Sequence, residues 1–95
     1  MRMGRVVGTV VATRKDPSLE RVKFLVVETL GLDTAPDGGY VIAVDAVGAG
    51  ADDVVLLASG SSARQTNLTK DKPVDAVIMA IVDSFDAHGK TTRLT

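Results

Sequence analysis

Five short runs of β-branched and aliphatic residues, separated by glycine, proline and aspartate, dominate this sequence. Such residues suit the pleated, packed surface of a sheet, and the Gly/Pro/Asp clusters between the runs are typical of turns. We therefore predict an all-β chain. The expected strands are Met3–Thr13, Val22–Leu30, Tyr40–Val47, Asp53–Ser59 and Ala76–Phe85.

The segments between these runs are expected to be short and polar. Arg14–Arg21 and Gly31–Gly39 are predicted to be loops, the second because it contains a Pro-Asp-Gly-Gly sequence. A short helix is expected from Ala63 towards Leu68, with Ser61 or Ser62 as its cap. Five strands with a short helix before the last one fit a small closed β-barrel of the oligonucleotide-binding type, because closure removes exposed strand edges.

The chain has the length of one domain. We expect the barrel to occupy about residues 1–85, with a tail from 86 to 95 that forms at most a turn at Asp86–Gly89 and a short last strand. Gly4 and Gly8 inside the first strand indicate bends or close backbone approach.

The last predicted strand is apolar on both faces between Val77 and Val82. One face belongs to the core, and the other needs a helix, the tail or a neighbouring subunit over it. A chain of 95 residues buries only roughly 60–65% of the surface that its unfolded form exposes. Because the sequence contains no cysteine, disulfides cannot stabilise it, and oligomerisation remains as a source of stability.

Composition excludes several functional classes. The net charge of −1 predicts no general attraction to nucleic acid or to an anionic membrane. No run approaches the roughly 20 apolar residues of a membrane-spanning helix. The apolar stretch Val6–Ala12 is interrupted by Gly8 and Thr9, which is unlike a signal peptide. We expect a soluble, cytoplasmic protein.

No catalytic, metal or cofactor motif is present. The sequence Gly48-Ala49-Gly50 lacks the third glycine and the following helix of a dinucleotide loop, so it predicts a tight turn. The single histidine, His88, precedes Gly89 and is expected in an exposed turn. One enzymatic alternative stays open, a site built across subunits from Asp45, Asp75 or Arg64.

The barrel type raises the possibility of nucleic-acid binding, since such barrels often bind single strands. These sites combine stacking aromatic residues with a basic groove. The chain has only three aromatic residues, Phe24, Tyr40 and Phe85, and its middle segment is acidic. A monomeric oligonucleotide-binding module is therefore the second hypothesis, not the first.

Four segments, in order and spacing, resemble the bacterial microcompartment vertex family of the EutN/CcmL type. They are Gly8–Leu19, Ala43–Gly50, Gly60–Arg64 and Pro73–Asp83. The resemblance implies a five-stranded barrel that assembles as a cyclic homopentamer. Such pentamers close the vertices of a polyhedral shell in the cytoplasm whose facets are hexameric tiles. It implies a structural protein with no enzymatic activity and no cofactor.

A ring of five copies implies two kinds of site. Gly60, Ser61 and Ser62 are the candidate residues lining the central pore, with Gly48–Gly50 as the alternative lining and helix capping as the local role for the serines. The candidate subunit interface consists of Arg64, Val77, Met79 and Ile81. Arg64 is expected to form an ion pair or a hydrogen-bond anchor at the subunit boundary.

Overall fold

The computed structural model describes all 95 residues and contains a five-stranded closed barrel followed by a separate hairpin. The prediction of an all-β barrel is confirmed. The strands are β1 (Arg2–Val10), β2 (Phe24–Leu30), β3 (Pro36–Asp45), β4 (Val54–Ser59), β5 (Ala76–Ile81), β6 (Ser84–Ala87) and β7 (Lys90–Arg93), and two 3₁₀ helices occupy Pro17–Leu19 and Gly60–Arg64.

The barrel strands follow the order β1-β2-β3-β5-β4, and β4 pairs back onto β1. All neighbours are antiparallel except β3 and β5, which run parallel. That parallel contact consists of two residue pairs, Val44 with Val77 and Asp45 with Ile78. The closure of the barrel therefore depends on a short seam between β3 and β5.

Several predicted boundaries differ from the structure, and the first strand already ends at Val10 instead of Thr13. The fifth strand ends at Ile81, so Ser84 and Phe85, which were assigned to it, begin β6 of a hairpin. The expected turn at Asp86–Gly89 and the short last strand belong to this hairpin. β3 begins at Pro36, inside the segment predicted as a loop. Proline lacks a backbone N–H, so it is tolerated at the first residue of a strand.

The short helix also begins earlier than predicted. Gly60 has φ of 62°, a conformation that glycine adopts without strain, so the chain turns from β4 directly into the 3₁₀ helix. Ser59 holds the N-cap position, and its side chain makes no capping hydrogen bond. The prediction that Ser61 or Ser62 caps a helix starting at Ala63 is therefore wrong.

Two apolar clusters lie on opposite faces of the barrel wall. The main core fills the interior and contains Val6, Leu25, Val27, Ala43, Ala49, Val55, Leu57, Ala76 and Ile78. The second cluster contains Val22, Val44, Ala58, Ala63, Val74 and Val77, with Leu19, Phe24 and Leu68 packed against it. Because strand residues alternate between faces, neighbouring residues of β5 serve both clusters.

Gly4 in β1 has no room for a side chain beside β2. A Cβ placed on Gly4 would lie 2.3 Å from Cγ1 of Val27, a core residue, and 3.0 Å from the carbonyl oxygen of Glu28. At Gly8, by contrast, the nearest atoms are 3.7 Å away and belong to Val26. The expected close approach is therefore confirmed at Gly4, whereas Gly8 lies beside a bulge at Val7.

We predict that Gly4→Ala destabilises the fold and that Gly8→Ala does so much less. Overpacking a stiff, β-branched core residue costs about 1–3 kcal/mol, and each kcal/mol corresponds to a fall in Tm of about 4–8 °C in a domain of this size. Thermal and urea unfolding of the two variants, followed by circular dichroism, measure the difference. Equal midpoints for the two variants would contradict the close packing at Gly4.

Candidate assembly surfaces

The Gly60–Arg64 helix is fastened to the segment that leads into β5. The amide of Gly60 donates to the carbonyl oxygen of Asp75 at 2.8 Å. Nη1 of Arg64 donates to the carbonyl oxygen of Val74 at 3.1 Å. Ala63, between these two anchors, is completely buried in the second cluster. The helix is therefore held in place at both ends and at its centre.

Ser61 and Ser62 lie on the outside of this helix, and both are exposed. Because neither of them is the capping residue, the local role considered for their hydroxyl groups does not exist in this chain. A fixed segment of small residues with free polar groups is thus presented at the surface.

The alternative pore loop, Gly48–Gly50, is organised by one carboxylate. Oδ1 of Asp45 accepts hydrogen bonds from the amides of Val47 and Gly48 at 3.0 Å and from that of Ala49 at 3.2 Å. Gly48 has φ of 77°, and Ala49 is buried in the main core. The loop is a tight turn, as its glycines indicate. The three successive amides that bind Asp45 already have a hydrogen-bond acceptor within the chain.

The three apolar interface candidates on β5 do not share one face. Val77 has no exposed surface, because the Gly60–Arg64 helix covers it, so this interface prediction is wrong for Val77. β5 then bulges at Met79, since Leu57 pairs with Ile78 and Leu56 with Ala80. An extra residue in a strand reverses the alternation of faces that follows it.

Met79 and Ile81 remain accessible, each with 38% of its surface exposed. The bulge lies beside a row of apolar residues on the outer wall, in which Met3 pairs with Leu56 and Leu56 with Ala80. We call Met3, Leu56, Met79 and Ala80 the outer strip. Met79 is exposed and the other three residues are half-buried, and only Met79 was among the predicted interface residues.

A second apolar surface lies on β2 and β3. Val26 pairs with Ile42, and the next outward pair is Glu28 with Tyr40. Ile42 is 49% exposed and Tyr40 is 62% exposed. We call Val26, Ile42 and Tyr40 the β2–β3 patch. The patch lies on β2 and β3, whereas the outer strip lies on β1, β4 and β5.

The polar groups of the β2–β3 patch do not form a nucleic-acid groove. The Tyr40 hydroxyl donates to Oε2 of Glu28 at 3.0 Å, and this hydrogen bond together with the carboxylate charge raises the pKa of Tyr40. Phe24, a second aromatic residue, packs against the second cluster. The exposed aromatic ring is thus paired with an acidic side chain, whereas strand binding uses stacking rings in a basic groove.

Arg64 is a hydrogen-bond anchor but not an intrachain ion pair. The one salt bridge of the chain joins Arg2 to Asp37, and Arg64 donates to a carbonyl oxygen instead. Asp37 also accepts from the hydroxyl of the buried Thr29 and from the amide of Gly39. These hydrogen bonds, with the charge of Arg2, lower the pKa of Asp37. The sequence pattern did not indicate the ion pair, because Arg2 lies 35 positions from Asp37 in the chain.

The proposed cross-subunit enzyme residues have structural roles within one chain. The carboxylate of Asp45 organises the Gly48–Gly50 turn, the Asp75 carbonyl anchors Gly60, and Arg64 anchors the other end of the helix. No group of three or more His, Asp or Glu side chains is arranged to hold a metal ion. No helix is long and apolar enough to cross a membrane.

Comparison with known proteins identifies the family. The family model described as ethanolamine utilisation protein EutN/carboxysome matches residues 1–83. The chain belongs to the EutN/carboxysome family. The match ends one residue before β6, so the hairpin lies outside the matched residues.

Relatives within this family share sequence and fold with the chain over most of its length. The carboxysome shell vertex protein CcmL of Synechococcus elongatus is 44% identical over 91 residues, which cover 96% of this chain and 92% of that protein. The structure of Gloeobacter violaceus CcmL has a TM-score of 0.91 and 42% identity, covering 96% of this chain and 94% of that one.

A third relative carries information on assembly. It is described as the GrpN pentameric microcompartment shell protein from Rhodospirillum rubrum, with a TM-score of 0.84 and 42% identity over 92% of this chain and 99% of that chain. The resemblance seen in four sequence segments is therefore confirmed. The names of these EutN/carboxysome relatives describe structural shell components, which agrees with the prediction that the chain is not an enzyme.

We predict that Arg64→Ala lowers the free energy of unfolding by about 1 kcal/mol, because one hydrogen bond from a side chain to a carbonyl is lost. Arg14→Ala, which removes an exposed arginine from the loop after β1, is the matched control and should leave stability unchanged. Urea unfolding of both variants provides the measurement. If the two variants unfold at the same midpoint, the Arg64 anchor does not hold the helix.

Proposed function

We propose that five copies of this chain form a ring that occupies the vertices of a polyhedral microcompartment shell. The observation that carries the proposal is the match, in sequence and in fold, to a shell protein described as pentameric. The role is structural, as the names of the shell vertex relatives describe. We place the assembled shell in the cytoplasm.

The surfaces of the single chain support a ring. A cyclic assembly places one patch of each subunit against a different patch of the next subunit. The chain has two such apolar surfaces, the outer strip on β1, β4 and β5 and the β2–β3 patch. Met79 of the strip and Tyr40 and Ile42 of the patch are all exposed in the single chain. Burial of both surfaces in every subunit stabilises a small domain that has no disulfide.

We infer that Gly60, Ser61 and Ser62 line the central opening of the ring. Both serines are exposed, and the helix that carries them is anchored to Asp75 and Val74, so their position is reproducible in every subunit. The Gly48–Gly50 turn is less suited to a pore, because Asp45 already binds three amides of this region. Arg64, next to the serines, is proposed to lie at the subunit boundary.

The partners of the ring in this proposal are hexameric shell tiles. A flat layer of hexagonal tiles cannot close on itself, and pentagonal units at its corners supply the missing curvature. The role needs no cofactor and no catalytic group. It needs only a ring with five-fold symmetry and edges that fit the tiles.

Co-expression of the chain with a hexameric shell tile protein tests this role. We expect closed, faceted particles when the chain is present, and open sheets, tubes or particles with missing corners when it is absent. Electron microscopy distinguishes these outcomes. Particles that close completely without the chain would contradict the vertex role.

We predict that Met79→Asp prevents ring formation and therefore shell closure, because a charge would be buried without a partner in the outer strip. Val11→Asp is the matched control, since Val11 is 88% exposed and lies outside both apolar surfaces. Light scattering after size exclusion measures the mass of each variant, and circular dichroism confirms that the barrel is folded. Intact rings of the Met79→Asp variant would exclude the outer strip from the interface.

A further inference from the structure

The C-terminal hairpin has little support from its own barrel. β6 and β7 pair with each other, and neither packs extensively on any barrel strand. The chain measures 46 × 23 × 22 Å, so it is twice as long as it is wide. The radius of gyration is 13.6 Å, whereas a compact chain of this length has a value of roughly 12 Å. The hairpin therefore projects from the barrel.

The local sequence of the hairpin explains why it forms but not why it is stable. His88 and Gly89 both have positive φ, of 53° and 73°, which is the two-residue turn that matches the twist of a hairpin. Four residue pairs connect the strands, from Ser84 with Arg93 to Ala87 with Lys90. An isolated two-stranded hairpin is at best marginally stable in water. A further contact must hold it.

The two faces of the hairpin differ. Ser84, Asp86 and Thr91 are exposed on one face, where the Thr91 hydroxyl donates to Asp86 at 2.6 Å. On the other face, Phe85 pairs with Thr92 and both are half-buried. This second face carries the one aromatic residue of the hairpin.

A cleft with a mixed apolar and polar lining separates that face from the barrel. Phe85 is shared by two adjoining hollows, of about 500 Å³ and 680 Å³, and Leu32 lines both of them. The first hollow also contains Met3 and Leu56, which belong to the outer strip. Leu32 is 66% exposed. The cleft is therefore continuous with the surface that we assign to the subunit interface.

We propose that the hairpin is an arm that clasps the next subunit of the ring, so that a second copy of this chain fills the cleft between Phe85 and the barrel. The proposal rests on the ring described under Proposed function. A marginal hairpin needs a partner whenever the chain folds, and another copy of the chain is the one partner that is always present. In a ring every arm meets one neighbour, which leaves no cleft empty.

Photo-cross-linking tests the arm directly. The chain contains no cysteine, so Phe85→Cys can be labelled with a benzophenone maleimide at one site only. Irradiation of the dilute pentamer is expected to give dimers and higher ladders on a denaturing gel. Val11→Cys, labelled in the same way, is the control and should remain monomeric on the gel. Cross-links confined to a single chain at Phe85, or formed to an added tile protein instead of a second copy, would overturn the proposal.

Two further variants separate failure of the arm from failure of the ring. A chain that ends at Asp83, and the full chain with Phe85→Ser, are each expected to dissociate at concentrations at least about tenfold above those at which the wild type dissociates, because the burial of one aromatic side chain is lost at every contact. Light scattering measures the mass, and circular dichroism verifies the barrel. Pentamers as stable as the wild type would overturn the arm but not the ring, whereas a monomeric wild type would overturn both.

Discussion

The burial of β5 on both faces is the constraint on which the rest of the structure depends. Ile78 fills the barrel interior, and its neighbour Val77 packs on the outside beneath the Gly60–Arg64 helix. The same two residues form the short parallel seam that closes the barrel against β3. The Gly60–Arg64 helix lies over Val77 and shields it from water. In this position the helix presents Ser61 and Ser62 at the surface.

The sequence predicts the barrel well because its information is local. Runs of β-branched residues and glycine-rich turns define each strand, and the two-sided apolar pattern of the last strand shows that something must cover it. The pattern cannot show what the cover is. The helix over Val77 and the bulge at Met79 arise from contacts between distant segments, so the predicted interface on β5 was only partly accessible.

The hairpin is predicted only in part. The sequence indicates a turn at Asp86–Gly89 and a short last strand, and the structure has a turn at His88-Gly89 followed by β7. The partner strand Ser84–Ala87 is not predicted, because the apolar run of β5 is extended through Phe85. The helix that carries the proposed pore residues is held by the anchors of Gly60 and Arg64, which join residues about ten positions or more apart and which no sequence motif reveals.

The central claim is that two different apolar surfaces and a projecting arm make this chain a ring-forming subunit of a shell vertex. Native mass spectrometry of the purified chain at low micromolar concentration tests it most directly. The account predicts one dominant species with a mass five times the 9.9 kDa of the single chain. A dominant species at the mass of one chain, or a closed ring with another number of subunits, would contradict it.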